Sequence, residues 1–107
     1  MTTFYDDLET RRPDQREAEL LAALPAQVAH ARAASPAFAE ILASVEPTAV
    51  NSREALARLP VTRKYELLER QKAHRATSPF GGFSAIGFGA AMPRVFASPG
   101  TIYEPEG

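Results

Sequence analysis

A mainly α-helical fold with a short β-prone tail follows from two observations on this 107-residue chain. Up to Thr77, Ala, Leu, Glu and Arg dominate, and these are strong helix formers. From Pro79 to Gly107 the chain carries all six glycines and four of its nine prolines, which break long helices and favour turns and short strands. The expected division is a small four-helix subdomain over residues 1-76 and a Gly/Pro-rich segment over 77-107 with one or two short β-strands.

The first helix is predicted to start at an Asp14 cap and run towards Ala34. Its apolar positions Leu21, Leu24, Val28 and Ala31 recur at spacings of three and four, which makes one buried stripe. Pro25 falls inside it, where a missing N–H and a clash with the preceding turn predict a kink or break. Ser35-Pro36 then reads as an N-cap followed by proline at the first helical position. The second helix aligns Phe38, Ile41, Leu42 and Val45, and Pro47 closes it. Asn51-Ser52-Arg53-Glu54 has the form of a capping box with Asn51 at the cap, opening a short helix that buries Leu56 and Leu59 and halts at Pro60. Thr62 is expected to cap a fourth helix, with Leu67 and Leu68 as core contacts and fraying from Lys72 to Arg75. One bundle core of Leu21, Leu24, Val28, Phe38, Ile41, Leu42, Leu56, Leu59 and Leu67 follows.

In the tail, Pro79-Phe80-Gly81-Gly82-Phe83 reads as a turn with aromatic anchors for a neighbouring domain. Arg94-Val95-Phe96-Ala97 is the best strand, because Val and Phe suit a pleated, half-buried surface. With no sheet to join, residues 79 to 107 are expected to be poorly ordered in a monomer, or else paired as a homodimer through the exposed edge near Val95 and Phe96. Ser98-Pro99-Gly100-Thr101 then places hydroxyls and free backbone N–H groups at a turn, an arrangement suited to phosphate.

Composition narrows the chemistry. A net charge of −1 gives no whole-chain field towards nucleic acid or membrane. The absence of cysteine excludes disulfides and thiolate chemistry. His30 and His74 are 44 residues apart, against the ligand spacing of a zinc site, and both read as boundary or surface residues. Between Arg53 and Arg75 there are seven Lys or Arg against three Glu, a run that reads as a solvated face because Tyr65 alone offers a ring for base stacking. The acidic start Met1-Thr2-Thr3-Phe4-Tyr5-Asp6-Asp7 is unlike a secretory leader, and no apolar run approaches the ~20 residues that span a bilayer. A cytoplasmic location is expected.

The ordered motifs Leu59-Pro60-Val61-Thr62-Arg63-Lys64, Pro79-Phe80-Gly81-Gly82-Phe83 and Arg94-Val95-Phe96-Ala97-Ser98-Pro99-Gly100-Thr101 together resemble the amino-terminal region of phenylacetate-CoA ligases, over essentially the whole chain. The resemblance implies the front part of a larger α/β adenylate-forming fold. It further implies an activity that joins an aryl or other carboxylic acid to coenzyme A through an acyl-adenylate, with ATP, Mg and coenzyme A as cofactors of the full-length enzyme. The catalytic lysine and the acid pocket would belong to domains outside these residues, so no catalytic residue is expected in this chain and the chain alone should be inactive. The family's phosphate loop reads Ser-Ser-Gly-Thr-Thr-Gly-Lys-Pro. Ser98, Gly100, Thr101 and Pro105 match it, and the first three are the expected ATP-phosphate contacts. Pro99 and Ile102 replace hydroxyl donors, Tyr103 replaces a glycine, and Glu104 replaces a lysine. A carboxylate ~4 Å from a phosphate is repelled by about 1 kcal/mol even in water. The contrasting expectation is a non-catalytic helical interaction module whose tail docks on a partner.

Overall fold

A computed structural model describes residues 3–106. Met1 and Thr2 of the acidic start, and Gly107 at the end of the Gly/Pro-rich segment, lie outside the described residues. The architecture is mainly helical with one two-stranded antiparallel sheet. After a single 3-10 turn at Asp7–Thr10, the helices are α1 (Pro13–Ala34), α2 (Pro36–Ile41), α3 (Arg53–Ala57) and α4 (Lys64–Ala73). The strands are β1 (Arg94–Ser98) and β2 (Ile102–Glu106).

Local chemistry explains where the helices begin, and it moves three expected caps by one or two residues. Helix α1 opens with Pro13 at its first position and no side-chain cap, so Asp14 lies in the first turn, where its charge favours the helix dipole. The helix runs on through Pro25 without the expected break: a 22-residue helix with a buried face tolerates the loss of one backbone bond. Ser52, rather than Asn51, caps α3, its hydroxyl accepting from the Ala55 N–H at 3.1 Å. At α4 the cap position is Arg63 instead of Thr62, and the Glu66 carboxylate reaches back to accept from the Arg63 N–H at 3.0 Å. Ser35 does cap α2 while also closing α1.

The core is smaller than one four-helix bundle. Val28, Leu42 and Val50 form its buried centre, surrounded by Leu24, Ala31, Phe38, Ile41, Val45 and Leu59. Helix α2 ends at Ile41, short of Val45, and Pro47 begins a 3-10 turn, Pro47–Ala49, that drops Val50 into the core. The Arg32 guanidinium fixes the return by donating to the Val45 carbonyl at 2.9 Å. Leu56 is 45% exposed, a correction to its expected burial: a five-residue helix turns only part of its surface inward. Helix α4 packs against β2, so Leu67 falls outside the α1–α2 cluster.

The tail is built onto the helices. Gly81 and Gly82 adopt φ of +63° and +83°, a region open to glycine at little cost. A Cβ on Gly81 would lie 2.9 Å from the Gln71 nitrogen, and one on Gly82 would lie 3.1 Å from the Ala37 nitrogen. The pair thus slots between α2 and α4. Phe83 meets Phe38 edge-on at 5.6 Å, and Phe80 is buried, so both rings anchor the tail to its own helices. Phe88 stays 71% exposed. The expected disorder is replaced by a hairpin because β1 finds its partner in β2, with Arg94 opposite Glu106 and Ser98 opposite Ile102.

Candidate functional site: the hairpin turn and its support

The three residues Pro99, Gly100 and Thr101 join β1 to β2. Ser98 closes β1 half-buried, Thr101 and Gly100 are exposed, and Ile102 is buried at 5% exposure. Gly100 has φ of +149°, and a Cβ there would lie 3.3 Å from Ile102 Cγ1 and 3.6 Å from Leu68 Cδ1. The structure therefore brings Ser98, Gly100 and Thr101 together in one tight turn over α4. Strand alternation places Ser98, Ile102 and Glu104 on one face of the hairpin and Tyr103 on the other.

The turn is held from beneath by Gln71, which is 1% exposed. Its carboxamide accepts from the Tyr103 N–H at 2.9 Å and donates to the Tyr103 carbonyl at 3.0 Å, with a longer contact to the Phe80 carbonyl at 3.4 Å. One buried side chain thus couples α4, the glycine turn and β2. A second support is Ser35, 2% exposed, whose hydroxyl donates to the Gly82 carbonyl at 2.8 Å, while the Ala37 N–H donates to the same oxygen at 2.9 Å. Neither residue was singled out as a tail contact by the sequence reasoning. The usable signal for Gln71 was its spacing of four and three from Leu67 and Leu68, which puts an amide on the apolar face of α4.

Electrostatically the turn lacks a cation of its own. The Arg75 guanidinium lies over the Tyr103 ring, 5.7 Å from its centroid, and Arg94 is bonded to Glu106 across the hairpin. As a phosphate site the turn offers an exposed hydroxyl on Thr101 and an open glycine, with Glu104 exposed nearby. That fits a neutral donor cradle for ATP and lacks the charge-assisted part of one. No group of three or more His, Cys, Asp or Glu that could hold a metal ion occurs among the described residues.

The remaining candidates have structural surroundings. His74 follows the last turn of α4, its Nδ1 3.0 Å from the Arg70 carbonyl, and His30 is exposed on α1. Three of the seven cations of the basic run are paired, Arg53 with Glu17, Arg70 with Glu40 and Lys72 with Glu69. A shallow groove of about 380 Å³ lies away from the hairpin turn, between Ile41, Pro60, Val61, Arg70 and Phe83. No helix among the described residues is long and apolar enough to cross a membrane.

In comparison with known proteins, the chain matches no family model, no curated protein and no solved structure.

Proposed function

We propose that this chain forms the amino-terminal part of a phenylacetate-CoA ligase-like enzyme, in which an aryl or other carboxylic acid is joined to coenzyme A through an acyl-adenylate. The observation that carries the proposal is the turn itself: Ser98, Gly100 and Thr101, the residues matching the family's phosphate loop, meet between two antiparallel strands with Thr101 and Gly100 open to solvent. The ordered motifs from Leu59 to Thr101 add to it. In this reading Thr101 and the Gly100 backbone hold an ATP phosphate and Gln71 keeps the turn in place. ATP supplies the activating group for the acid, and coenzyme A accepts the acyl group, both with the help of domains outside these residues.

The test begins with the reading frame. If it continues into a large α/β domain, the product should form AMP from ATP with an aryl acid, and a thioester once coenzyme A is added. A continued product that does neither overturns the ligase reading. A frame that stops at Gly107, with no ATP binding by the chain, favours the non-catalytic interaction module.

A further inference from the structure

The hairpin has two outer edges, and they are not equivalent. On β2 the outward N–H and C=O of Tyr103 are both bonded to Gln71, and Pro105, next along that edge, has no N–H. Because the single N–H of Tyr103 points away from β1, the Ala97–Tyr103 pair is of the non-hydrogen-bonded kind, and alternation makes Val95–Pro105 another. The same parity turns the N–H and C=O of Val95 and Ala97 away from β2, onto the free edge of β1. None of these four groups has a hydrogen-bond partner among the described residues. Val95 is 46% exposed and Phe96 50%. Arg94–Ser98 contains no proline or lysine, and its ladder runs without a bulge, so three of the devices that blunt an edge are missing.

We infer that β1 pairs antiparallel with β1 of a second copy of this chain, about a twofold axis at Phe96, to give a four-stranded sheet in the order β2-β1-β1-β2. The strand is its own complement in this register. Val95 lies opposite the partner's Ala97 and Ala97 opposite the partner's Val95, which satisfies all four outward groups of each chain in four interchain bonds. Phe96 stacks beside the partner's Phe96 as a close cross-strand pair. Arg94 faces the partner's Ser98 and keeps its own counter-ion, Glu106, so no like charges meet. Neighbouring registers are worse. A slip of one residue sets outward groups against inward ones, and a slip of two in either direction brings Pro93 or Pro99 opposite a donor-acceptor pair, and neither has an N–H to give. The hairpin is already supported by α4, so pairing adds strands to a sheet that stands in each copy. The inference rests on the hairpin alone and is independent of the ligase reading.

The contact is small, five residues a side, below the ~1,200 Å² of a stable interface, so the dimer is expected only at roughly hundreds of micromolar. Sedimentation equilibrium of the chain, combined with amide exchange, provides the test. The dimer fraction should rise with concentration, and protection of the Val95 and Ala97 amides should rise with it. Val95→Pro removes one outward donor per chain while leaving the bonds within the hairpin, and should weaken association by roughly tenfold or more. Retained protection of the Tyr103 amide shows that this variant's hairpin is intact. Because the chain has no cysteine, Phe96→Cys should give a disulfide-linked dimer on mild oxidation, whereas Val95→Cys, whose twin lies off the axis, should not. A chain that stays monomeric at about 1 mM with both amides exchanging as fast as in dilute solution overturns the inference. So does a dimer that persists unweakened in Val95→Pro, which would place the contact on another surface, such as a second groove, lined by Leu20 and Leu24 of α1 and Leu56 of α3.

Discussion

The Gln71 carboxamide bonds both backbone groups of Tyr103, 32 residues further along the chain, at 2.9 and 3.0 Å. The side chain acts as a one-residue strand: it supplies the acceptor and the donor that β2 lacks on its outer edge. The hairpin turn with Ser98, Gly100 and Thr101 is therefore oriented by a helix residue.

Replacing Gln71 by Met keeps the volume and removes both bonds. Two half-buried backbone groups would then lose their partner, at a net cost of about 0.5–1.5 kcal/mol each. Gln71→Met should lower the thermal midpoint and accelerate exchange of the Tyr103 amide. Gln71→Glu keeps the acceptor and loses the donor, so it should protect that amide better than Met does. Equal exchange in all three proteins would mean that Gln71 does not hold the strand.

Gly81→Ala tests the close approach of the glycine turn to α4. Its φ is +63°, and the added Cβ would stand 2.9 Å from the Gln71 nitrogen and 3.1 Å from the Arg70 carbonyl carbon, backbone atoms that cannot swing aside. Strain of roughly 1–3 kcal/mol is expected from such a site, read as loss of stability in urea. Gly87→Ala meets nothing within 4 Å and should leave the midpoint nearly unchanged.

The core assignment is tested by contrast. Leu42→Ala, at a residue only 6% exposed, should cost about 2–5 kcal/mol. Leu56→Ala, at a residue 45% exposed, should cost less than about 1 kcal/mol. Similar losses at both positions would restore a bundle that includes α3.

The helices were legible because apolar spacing and capping chemistry are local. Val28, Leu42 and Leu59 could be assigned from periodicity, and Ser35-Pro36 from its cap. Val50 was not, because a 3-10 turn delivers it to the core without any repeating pattern. Ser98, Gly100 and Thr101 could be placed in a turn, and a second short strand was allowed for but not located, since Glu104-Pro105-Glu106 is poor in strand formers and β2 is held by a partner on α4. That partner, Gln71, was the least visible residue, because an amide on an apolar helix face has meaning only once the second backbone is in place.

The Arg11–Glu19 pair predicts an acid dependence. Hydrogen bonds from Arg11, and then from Gln15, hold the Glu19 carboxyl below its ordinary value. A depressed folded value contributes stability above the unfolded carboxylate value of about 4.3, and the contribution is lost as pH falls through the folded value. The midpoint difference between the parent and Glu19→Gln should be steady near neutrality and shrink below about pH 4. Because the group is exposed, the difference should be small and should fade in high salt. A difference that grows on acidification would contradict the pairing.

The last prediction addresses the phosphate reading of the turn. Tyr103 is bonded to Gln71 through its backbone, so Tyr103→Gly keeps those bonds while removing the ring over which Arg75 lies. Glu104 is exposed on β2, and Glu104→Lys replaces a repulsive carboxylate with a cation beside the turn. The double variant Tyr103→Gly/Glu104→Lys should therefore bind ATP more tightly than the parent in calorimetric titrations at equal, low salt, with the gain reduced as salt is added. Glycine within a strand costs roughly 0.5–1 kcal/mol, so the Ile102 amide is followed in parallel to show that the hairpin survives. Equal or weaker ATP binding with the hairpin intact would mean that Ser98, Gly100 and Thr101 do not contact phosphate, and the site assignment would fall with it.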